Sequence, residues 1–299
     1  SEMGKKVLMI DLDPQCNLTI CGIKEDYLEH IWEEEDPFID DFGSAKKMAD
    51  EETFRKINGS PRSIHYLLKT TEDGIDDSQI SELPPAIMLN GRLGLVPGRL
   101  TINSFENAIS RRWSDVYQGD PLAIRTITRI RTIAEAYAQR DGYDFVLMDT
   151  SPSLGALNKV IISTVDGFIV PCLPDMFSMY GIRNIGSSLK QWKQEFDTIY
   201  KLISNSKRER FPNEFVQFLG YTIYNAKKYQ KHLNEWDLAQ AHYNYAQKIP
   251  SVIEKYVVEE VRKHLSSDMV HNPIGNTAVM HSHNTLPNMS QKYKKPIWE

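Results

Sequence analysis

Short apolar runs that stop at a carboxylate occur twice in this chain. Residues 7–10 read Val-Leu-Met-Ile and lead into an Asp-Leu-Asp-Pro-Gln segment that begins at Asp11. Residues 145–148 read Phe-Val-Leu-Met and lead into an Asp-Thr-Ser-Pro-Ser-Leu-Gly segment that begins at Asp149. A run of this length between turn residues is typical of a buried strand in a parallel sheet. We therefore expect two strands whose carboxyl ends carry aspartates.

Strand and helix patterns alternate along the rest of the chain. The predicted elements are a loop at residues 17–22, a hairpin at 86–97 around Asn90-Gly91, helices at 122–139 and 181–202, strands at 166–175 and 215–225, a basic loop at 204–210, and a helical region at 234–264 interrupted at Pro250. Such alternation predicts an α/β fold, with a mainly parallel twisted sheet and flanking helices.

Two segments are predicted to be insertions in a single domain that spans all 299 residues. Residues 25–58 are acidic, and they read as a solvated, partly helical insertion. The alternative for this segment is an arm that docks a partner. Residues 229–264 read as a helical insertion.

The composition is that of an ordinary soluble globular protein, with 41% hydrophobic and 25% charged residues. No apolar run is long enough to span a bilayer and no signal peptide is visible, so we expect no contact with a membrane. The three cysteines are irregularly spaced, which favours a reducing cytoplasm over a disulfide framework. The net charge of −5 argues against a protein that coats nucleic acid with its whole surface, but it allows a local basic patch.

Asp11, Asp13 and Asp149 are the first candidates for chemistry. Side chains alternate along a strand, so Asp11 and Asp13 are expected on one face. Asp149 is expected at the edge of the sheet where open α/β sheets bind their ligands. Carboxylates there can hold Mg²⁺ beside a phosphate. The alternatives are a solvated strand end at Asp149 and a turn cap at Asp13.

The order of these segments resembles the ParA/MinD family of deviant-Walker P-loop ATPases (the SIMIBI type), and it is most similar to ParA-type partition ATPases. The match lies in the Asp-x-Asp-Pro-Gln motif at Asp11 and in the Walker B segment at Asp149. The resemblance implies a P-loop NTPase fold, hydrolysis of ATP with Mg²⁺, and a function in partitioning DNA or positioning cargo. It also implies an ATP-dependent homodimer, non-specific DNA binding and a ParB-like activator protein.

The resemblance also implies roles for the aspartates and for the loop that follows Asp149. Asp13 would orient the attacking water, Asp11 would lie close to the Mg²⁺ shell, and Asp149 would be the Walker B metal residue. Gly155, together with the Pro-Ser pair before it, would belong to the loop that senses the γ-phosphate. Ser151 stands where many relatives have proline, which is a departure from the family pattern.

Three further residues correspond to nucleotide-binding positions of the family. Asn225 would read the adenine, because an amide can donate and accept a hydrogen bond at once. Pro174 and Asp175 resemble the loop after the family's fifth strand. For Asn225 the alternative is an ordinary turn residue at the end of a strand.

Two basic clusters resemble the residues through which ParA-like proteins bind DNA. Their members are Lys207, Arg208, Arg210, Lys227, Lys228 and Lys231. Contacts with phosphates would make such binding strongly dependent on salt. The alternative is that both clusters are solvated surface.

The family's phosphate-binding motif, Lys-Gly-Gly-x-Gly-Lys-Thr/Ser, does not occur in this sequence. We expect a strand, a phosphate loop and a helix of roughly 30 residues ahead of Ser1, and the family's last helix beyond the C-terminal residues. As it stands, the chain is expected to bind ATP weakly and to be inactive. Two alternatives stay open, a non-catalytic relative or fragment that docks partners and a MinD-like membrane-positioning ATPase. The second needs a C-terminal amphipathic basic helix, which the sequence does not supply.

Overall fold

The computed structural model describes residues 3–75, 83–209, 211–226, 234, 236–276, 289 and 292–294. The chain forms two compact units. Unit 1 comprises Ser1–Val160, Ile203–Arg210 and Asn288–Glu299, and unit 2 comprises Ile161–Leu202 and Phe211–Pro287. Each unit has its own sheet and its own helices, so the predicted α/β class is confirmed.

The centre of unit 1 is a four-stranded sheet. Its strands are β1 Val7–Asp11, β2 Ile87–Asn90, β3 Leu93–Val96 and β4 Phe145–Asp149. Their order across the sheet is β2-β3-β1-β4. β1 pairs in parallel with both β3 and β4, while β2 and β3 form the predicted antiparallel hairpin.

The helices of unit 1 follow the predicted order with two corrections. They are α1 Asn17–Gly22, α2 Glu25–Asp40, α3 Phe42–Met48, α4 Glu51–Asn58, α5 Ile64–Glu72, α6 Asn103–Val116, α7 Pro121–Asp141, and α10 Asn205–Arg208; α8, Ala156–Thr164, crosses the boundary between the two units. The predicted loops at 17–22 and 204–210 are wrong, since they contain α1 and α10. Helices of one or two turns are too short to show a clear apolar period.

The acidic segment 25–58 forms helices, as in the predicted partly helical insertion, but its apolar side chains are packed rather than solvated. The side chains of Asp41 and Asp50 are N-caps, and they begin α3 and α4. Its apolar side chains meet α5 in an aromatic cluster whose neighbouring ring centroids lie 5.4 to 6.4 Å apart. The members are Phe38, Phe42, Phe54 and Tyr66. Two of the acidic side chains therefore cap helices. The apolar side chains of these helices form a buried aromatic core with α5.

A polar network at the end of α5 centres on Glu72. Its carboxylate accepts hydrogen bonds from Lys69 Nζ at 3.0 Å and from Ser104 Oγ at 2.9 Å, and it lies 3.2 Å from His65 Nε2. Burial alone would raise the pKa of Glu72, but these partners lower it from its ordinary 4.5 to about 2. Folding therefore stabilises the ionised form of the Glu72 side chain relative to its protonated form.

This lowered pKa predicts a loss of stability in acid. A carboxyl group whose pKa falls on folding stabilises the protein above its unfolded pKa, and the stabilisation is lost as the pH falls toward the folded value. For Glu72 the window runs from about pH 4.5 down to about pH 2, and the full effect is about 3 kcal/mol. Urea unfolding across this window should show a smaller pH dependence in Glu72→Gln than in the wild type. The exposed Glu29→Gln variant is the control, and equal slopes in all three proteins would contradict the prediction.

Unit 2 is built on two parallel strands, β5 Gly167–Cys172 and β6 Gln217–Ile223. Its helices are α9 Met176–Leu202, α11 Gln240–Ala246, α12 Ile249–Tyr256, α13 Glu259–Arg262 and α14 Ser267–His271. The predicted interruption of the helical region lies at residues 247–248, between α11 and α12, and Pro250 stands in the first turn of α12. Proline is tolerated in the first turn of a helix because the N–H groups of that turn have no acceptor within the helix, so the N–H that proline lacks is not needed.

β4 is an edge strand rather than the buried strand predicted from its apolar run. Within the described residues it pairs only with β1, and its Phe145 and Leu147 side chains are each 55% exposed. An apolar run indicates a strand, but it does not indicate whether the strand pairs with one or with two other strands of the sheet. None of the helices in the described part of the chain is both long enough and apolar enough to cross a membrane.

A carboxylate site at the ends of two parallel strands

The two aspartate segments meet at one edge of the unit 1 sheet. Asp11 and Asp149 are direct partners in the register of β1 and β4. One residue further on, the Leu12 N–H donates to the carbonyl oxygen of Asp149 at 2.9 Å. The parallel pairing thus continues past the last residue of each strand, and it brings the segments together as predicted.

The Asp11 carboxylate is fully buried, and both its oxygens accept hydrogen bonds. Oδ1 accepts from the Asp13 N–H at 3.1 Å. Oδ2 accepts from the Thr19 N–H at 2.8 Å and from Thr19 Oγ1 at 2.6 Å. Burial raises the pKa of Asp11, and the hydrogen bonds from Thr19 oppose that rise. These contacts hold α1 against the end of β1, and they suit a residue that acts beside a metal better than a direct ligand.

Asp13 lies in a tight turn between β1 and α1. Its Oδ1 accepts from the Gln15 N–H at 3.0 Å, and its carbonyl oxygen accepts from the Cys16 N–H at 2.9 Å. Cys16 itself has a left-handed backbone with φ of 55°. The predicted turn cap and the predicted chemical role of Asp13 are therefore compatible, since Oδ1 makes the turn bond and a carboxylate has a second oxygen.

Asp149 experiences the charge of the other two aspartates. Desolvation by its surroundings raises the pKa of Asp149, and the negative charges of Asp11 and Asp13 raise it further. Three like charges close together favour either a proton or a cation at the site. The oxygen donors suit Mg²⁺, which usually takes only one or two protein carboxylates and completes its shell with water and phosphate.

The protein groups alone do not make a chelating cage. Within the described residues, no set of three or more His, Cys, Asp or Glu side chains has the arrangement to hold a metal ion. This agrees with a Mg²⁺ that would arrive with phosphate rather than one held permanently. Asp149 is the residue that would face such an ion, with Asp11 held beside it.

The loop after Asp149 is braced by two residues that sequence reasoning missed. The buried Asn158 side chain donates through Nδ2 to the carbonyl oxygens of Ser151 and Ser153, at 2.6 and 2.7 Å. A Cβ added to Gly155 would lie 2.1 Å from Oε1 of Glu106, so the glycine lets the end of that side chain approach the loop backbone closely. Glu106 belongs to α6, far away in sequence, and no sequence pattern connects it with Gly155.

Three of the predicted nucleotide-binding residues, Asn225, Pro174 and Asp175, lie in unit 2, after the carboxyl ends of β5 and β6. Cys172 and Ile223 are register partners, so the segments that follow them leave the sheet side by side. Asp175 begins α9, since its Oδ1 accepts from the Ser178 N–H at 2.8 Å. Asn225 is exposed and has φ of 53°, as a residue in a turn would. Pro174 is buried.

The predicted DNA-binding residues are only partly described. Lys207 and Arg208 lie on α10 in unit 1, and both are half-buried. Lys207 Nζ donates to the carbonyl oxygen of Gly119, and Arg208 Nη1 donates to Asn205 Oδ1 at 3.2 Å. Arg210, Lys227, Lys228 and Lys231 lie outside the described residues.

Open α/β sheets bind their ligands at the carboxyl ends of their parallel strands, which is where the aspartates gather in this sheet. The sequence matches the profile of the AAA_31 family, described as an AAA domain, over residues 1–202. This match covers more than half of the chain, and the chain belongs to that family, the ParA-type P-loop ATPases.

Several proteins share part of this sequence. MJECL24 of Methanocaldococcus jannaschii is 25% identical over 65% of this chain and 57% of its own length. A ParA family protein of Mycoplasma pneumoniae is 29% identical over 26% of this chain and 30% of its own length. The virulence plasmid ParA family protein pGP5-D of Chlamydia psittaci is 24% identical over 75% of this chain and 66% of its own length. The chain thus spans less than two thirds of each of these relatives.

Solved structures show the same fold. Protein DIP2308 of Corynebacterium diphtheriae matches 98% of this chain and 88% of its own, with a TM-score of 0.66 and 19% identity. Apo McdA of Cyanothece matches 99% of this chain and 81% of its own, with a TM-score of 0.51 and 13% identity. At these identities the likeness concerns the fold alone.

Proposed function

We propose that this chain is the core of a ParA-type ATPase that hydrolyses ATP with Mg²⁺ and partitions DNA or positions cargo as an ATP-dependent dimer in the cytoplasm. One observation carries the proposal, which is the meeting of Asp11, Asp13 and Asp149 at the ends of two parallel strands. Phosphoryl transfer needs little covalent help from the protein. It depends on positioning and on neutralising charge, and a carboxylate cluster that binds Mg²⁺ contributes to both.

Each aspartate has a separate task in this proposal. Asp149 faces the Mg²⁺, which would offset its raised pKa. Asp13 orients the attacking water, and Asp11 holds the turn that places Asp13. Gly155 lies in the braced loop that would respond to the γ-phosphate, Asn225 is the candidate for reading the adenine, and Pro174 and Asp175 are further nucleotide-binding candidates.

The test needs a chain that can hold phosphates. We define the extended form as this chain with a strand, a phosphate loop and a helix of ParA-type sequence joined ahead of Ser1. The extended form is expected to release phosphate from ATP, and only when Mg²⁺ is present. Absence of release, or release that persists in EDTA, would contradict the proposal.

Non-specific DNA binding is the second part of the proposal. The whole chain carries a net charge of −5, so a local basic patch has to do the binding. The candidates are Lys207 and Arg208 on α10, with Arg210, Lys227, Lys228 and Lys231. A ParB-like protein is the expected activator of hydrolysis.

DNA affinity of the ATP-bound extended form is expected to fall steeply between low and moderate salt. Each phosphate contact releases counterions, so the slope of log affinity against log salt is about −0.9 per contact. Reversing the charge at Lys227 and Lys228, or at Lys207 and Arg208, should reduce both affinity and slope for every DNA sequence. Lys47→Glu, an exposed lysine of the acidic segment, is the control. Affinity that is flat with salt, or unchanged by the reversals, would rule the patch out.

A further inference from the structure

A series of hydrogen bonds in unit 1 leads from α2 to the carboxylate of Asp11. The indole Nε1–H of Trp32 donates to the carbonyl oxygen of Gly98 at 3.1 Å. The Gly98 N–H donates to Thr19 Oγ1 at 2.7 Å. Thr19 Oγ1 then donates to Asp11 Oδ2 at 2.6 Å. We call this series the Trp32 relay.

Gly98 is tightly enclosed at the centre of the Trp32 relay. A Cβ added there would lie 3.0 Å from the carboxyl carbon of Asp11 and 3.0 Å from Cys16 Sγ. The backbone of Gly98 is therefore in direct contact with the Asp11 side chain and with the end of the Asp13 turn. A shift of Gly98 by a few tenths of an ångström would move both groups, because close-packed interiors transmit such displacements.

The residue after Gly98 attaches the same loop to α2 a second time. Arg99 Nη1 donates to the carbonyl oxygen of Trp32 at 2.9 Å and to Glu35 Oε2 at 3.2 Å. Arg99 Nη2 donates to Asp36. Glu35 is fully buried and also accepts from the N–H and the hydroxyl of Ser63, each at 2.6 Å. The loop at Gly98 and Arg99 is thus bound to successive turns of α2, so the two have to move together.

We propose that Trp32 is a positioning residue, and that α2 sets the placement of the Asp11–Asp13 turn through the Trp32 relay. The inference rests on the proposed ATPase function, since it concerns the regulation of that site. It gives the acidic segment a role that its charge alone does not reveal. Any change in the position of α2 reaches the carboxylates through three hydrogen bonds in series.

The competing explanation is that Trp32 only fills space. Its ring packs against the buried cluster of Ile23, Leu28 and Leu95. Trp32→Phe separates the two roles, because phenylalanine keeps an aromatic ring but has no N–H to donate. Thr19 offers an independent pair of variants, since Thr19→Ser keeps the hydroxyl and Thr19→Val removes it while keeping the shape.

Amide hydrogen exchange measured by NMR on the chain itself tests the relay. In Trp32→Phe we expect exchange at the Gly98 and Thr19 amides to be roughly fivefold to tenfold faster, as the loss of one hydrogen bond implies, with α2 amides such as Ile31 unchanged. Thr19→Val should do the same at Gly98, and Thr19→Ser should match the wild type. Trp113→Phe, which changes a tryptophan of α6 outside the relay, is the control. Unchanged exchange at Gly98 and Thr19, or equal acceleration throughout α2, would overturn the proposal.

The functional consequence is measured separately in the extended form. Trp32→Phe is expected to lower kcat several-fold and to leave the affinity for ATP unchanged, because the relay places Asp13 and touches no nucleotide group. A normal kcat despite faster exchange would overturn the control of hydrolysis by α2. Failure of the wild-type extended form to hydrolyse ATP would instead contradict the proposed function, and it would leave the exchange result standing.

Discussion

Replacing Asp13 with asparagine in the extended form is expected to lower the rate of ATP hydrolysis by roughly 10²–10⁴-fold, with little change in ATP affinity. The proposed task of Asp13 is to orient the attacking water, and this task requires a charged acceptor at a fixed position. Asp13 is well placed for it, because its backbone and Oδ1 are fixed by the turn bonds to Gln15 and Cys16. Binding of ATP depends mainly on other groups, so turnover and affinity should separate.

Two substitutions at this position distinguish chemistry from structure. Asparagine keeps an oxygen that can accept from the Gln15 N–H, so Asp13→Asn preserves the turn and removes the charge. Asp13→Ala removes both. If Asp13 acts through its charge, both variants lose hydrolysis; if it only caps the turn, Asp13→Asn remains active. Asp26→Asn, at an exposed position of α2, is the control, and wild-type turnover in Asp13→Asn would exclude the proposed role.

The meeting of the two aspartate segments could be predicted because it depends on a general property of parallel sheets. Apolar runs that end at Asp11 and Asp149 indicate strands, and parallel strands have their carboxyl ends on one edge. The sequence could not show that β1 and β4 are direct neighbours, because apolar runs carry no information on strand order. The burial of Asp11 could not be predicted either, because it depends on Thr19, which lies on α1, and a helix as short as α1 cannot be recognised from the sequence.

Long-range contacts account for most of what the sequence did not reveal about the site. Glu106 lies against Gly155, and Trp32 lies against Gly98, although each pair is separated by about fifty residues or more. Periodicity shows which face of a helix is apolar, but it does not name the partner of that face. The acidic charge of residues 25–58 suggested solvation, whereas burial of Glu35 and Phe38 shows that this segment is anchored to unit 1.

A second large effect is expected in the binding of Mg·ATP, which should be at least roughly a thousandfold weaker in the chain itself than in the extended form, or about 4 kcal/mol. Backbone N–H groups and the lysine of a phosphate loop normally cradle the phosphates, and the sequence contains no such motif. Without them the charges of Asp11, Asp13 and Asp149 would repel the nucleotide. Calorimetry with Mg·ATP on both forms measures the difference.

Mg²⁺ by itself does not replace the phosphate contacts of a phosphate loop. It gives up its waters reluctantly, and the described residues hold no ready set of three ligands for it. The edge of β4 that is free in the described part of the chain is the structural reason to expect that the extended form binds Mg·ATP. Phe145 and Leu147 are exposed along that edge, and its outer backbone groups could pair with an added strand next to Asp149.

The matched control is an extended form in which the lysine of the phosphate loop is replaced by alanine, which should bind ATP as weakly as the chain itself. Tight binding by the chain itself would refute the proposed site outright, because that site requires a phosphate loop. Equal failure of the chain and the extended form would favour the partner-docking alternative, in which the aspartates only shape the turn. Recovery in the extended form and loss in its lysine variant would together place the phosphates next to Asp149, where the negative charges of Asp11 and Asp13 already favour a cation.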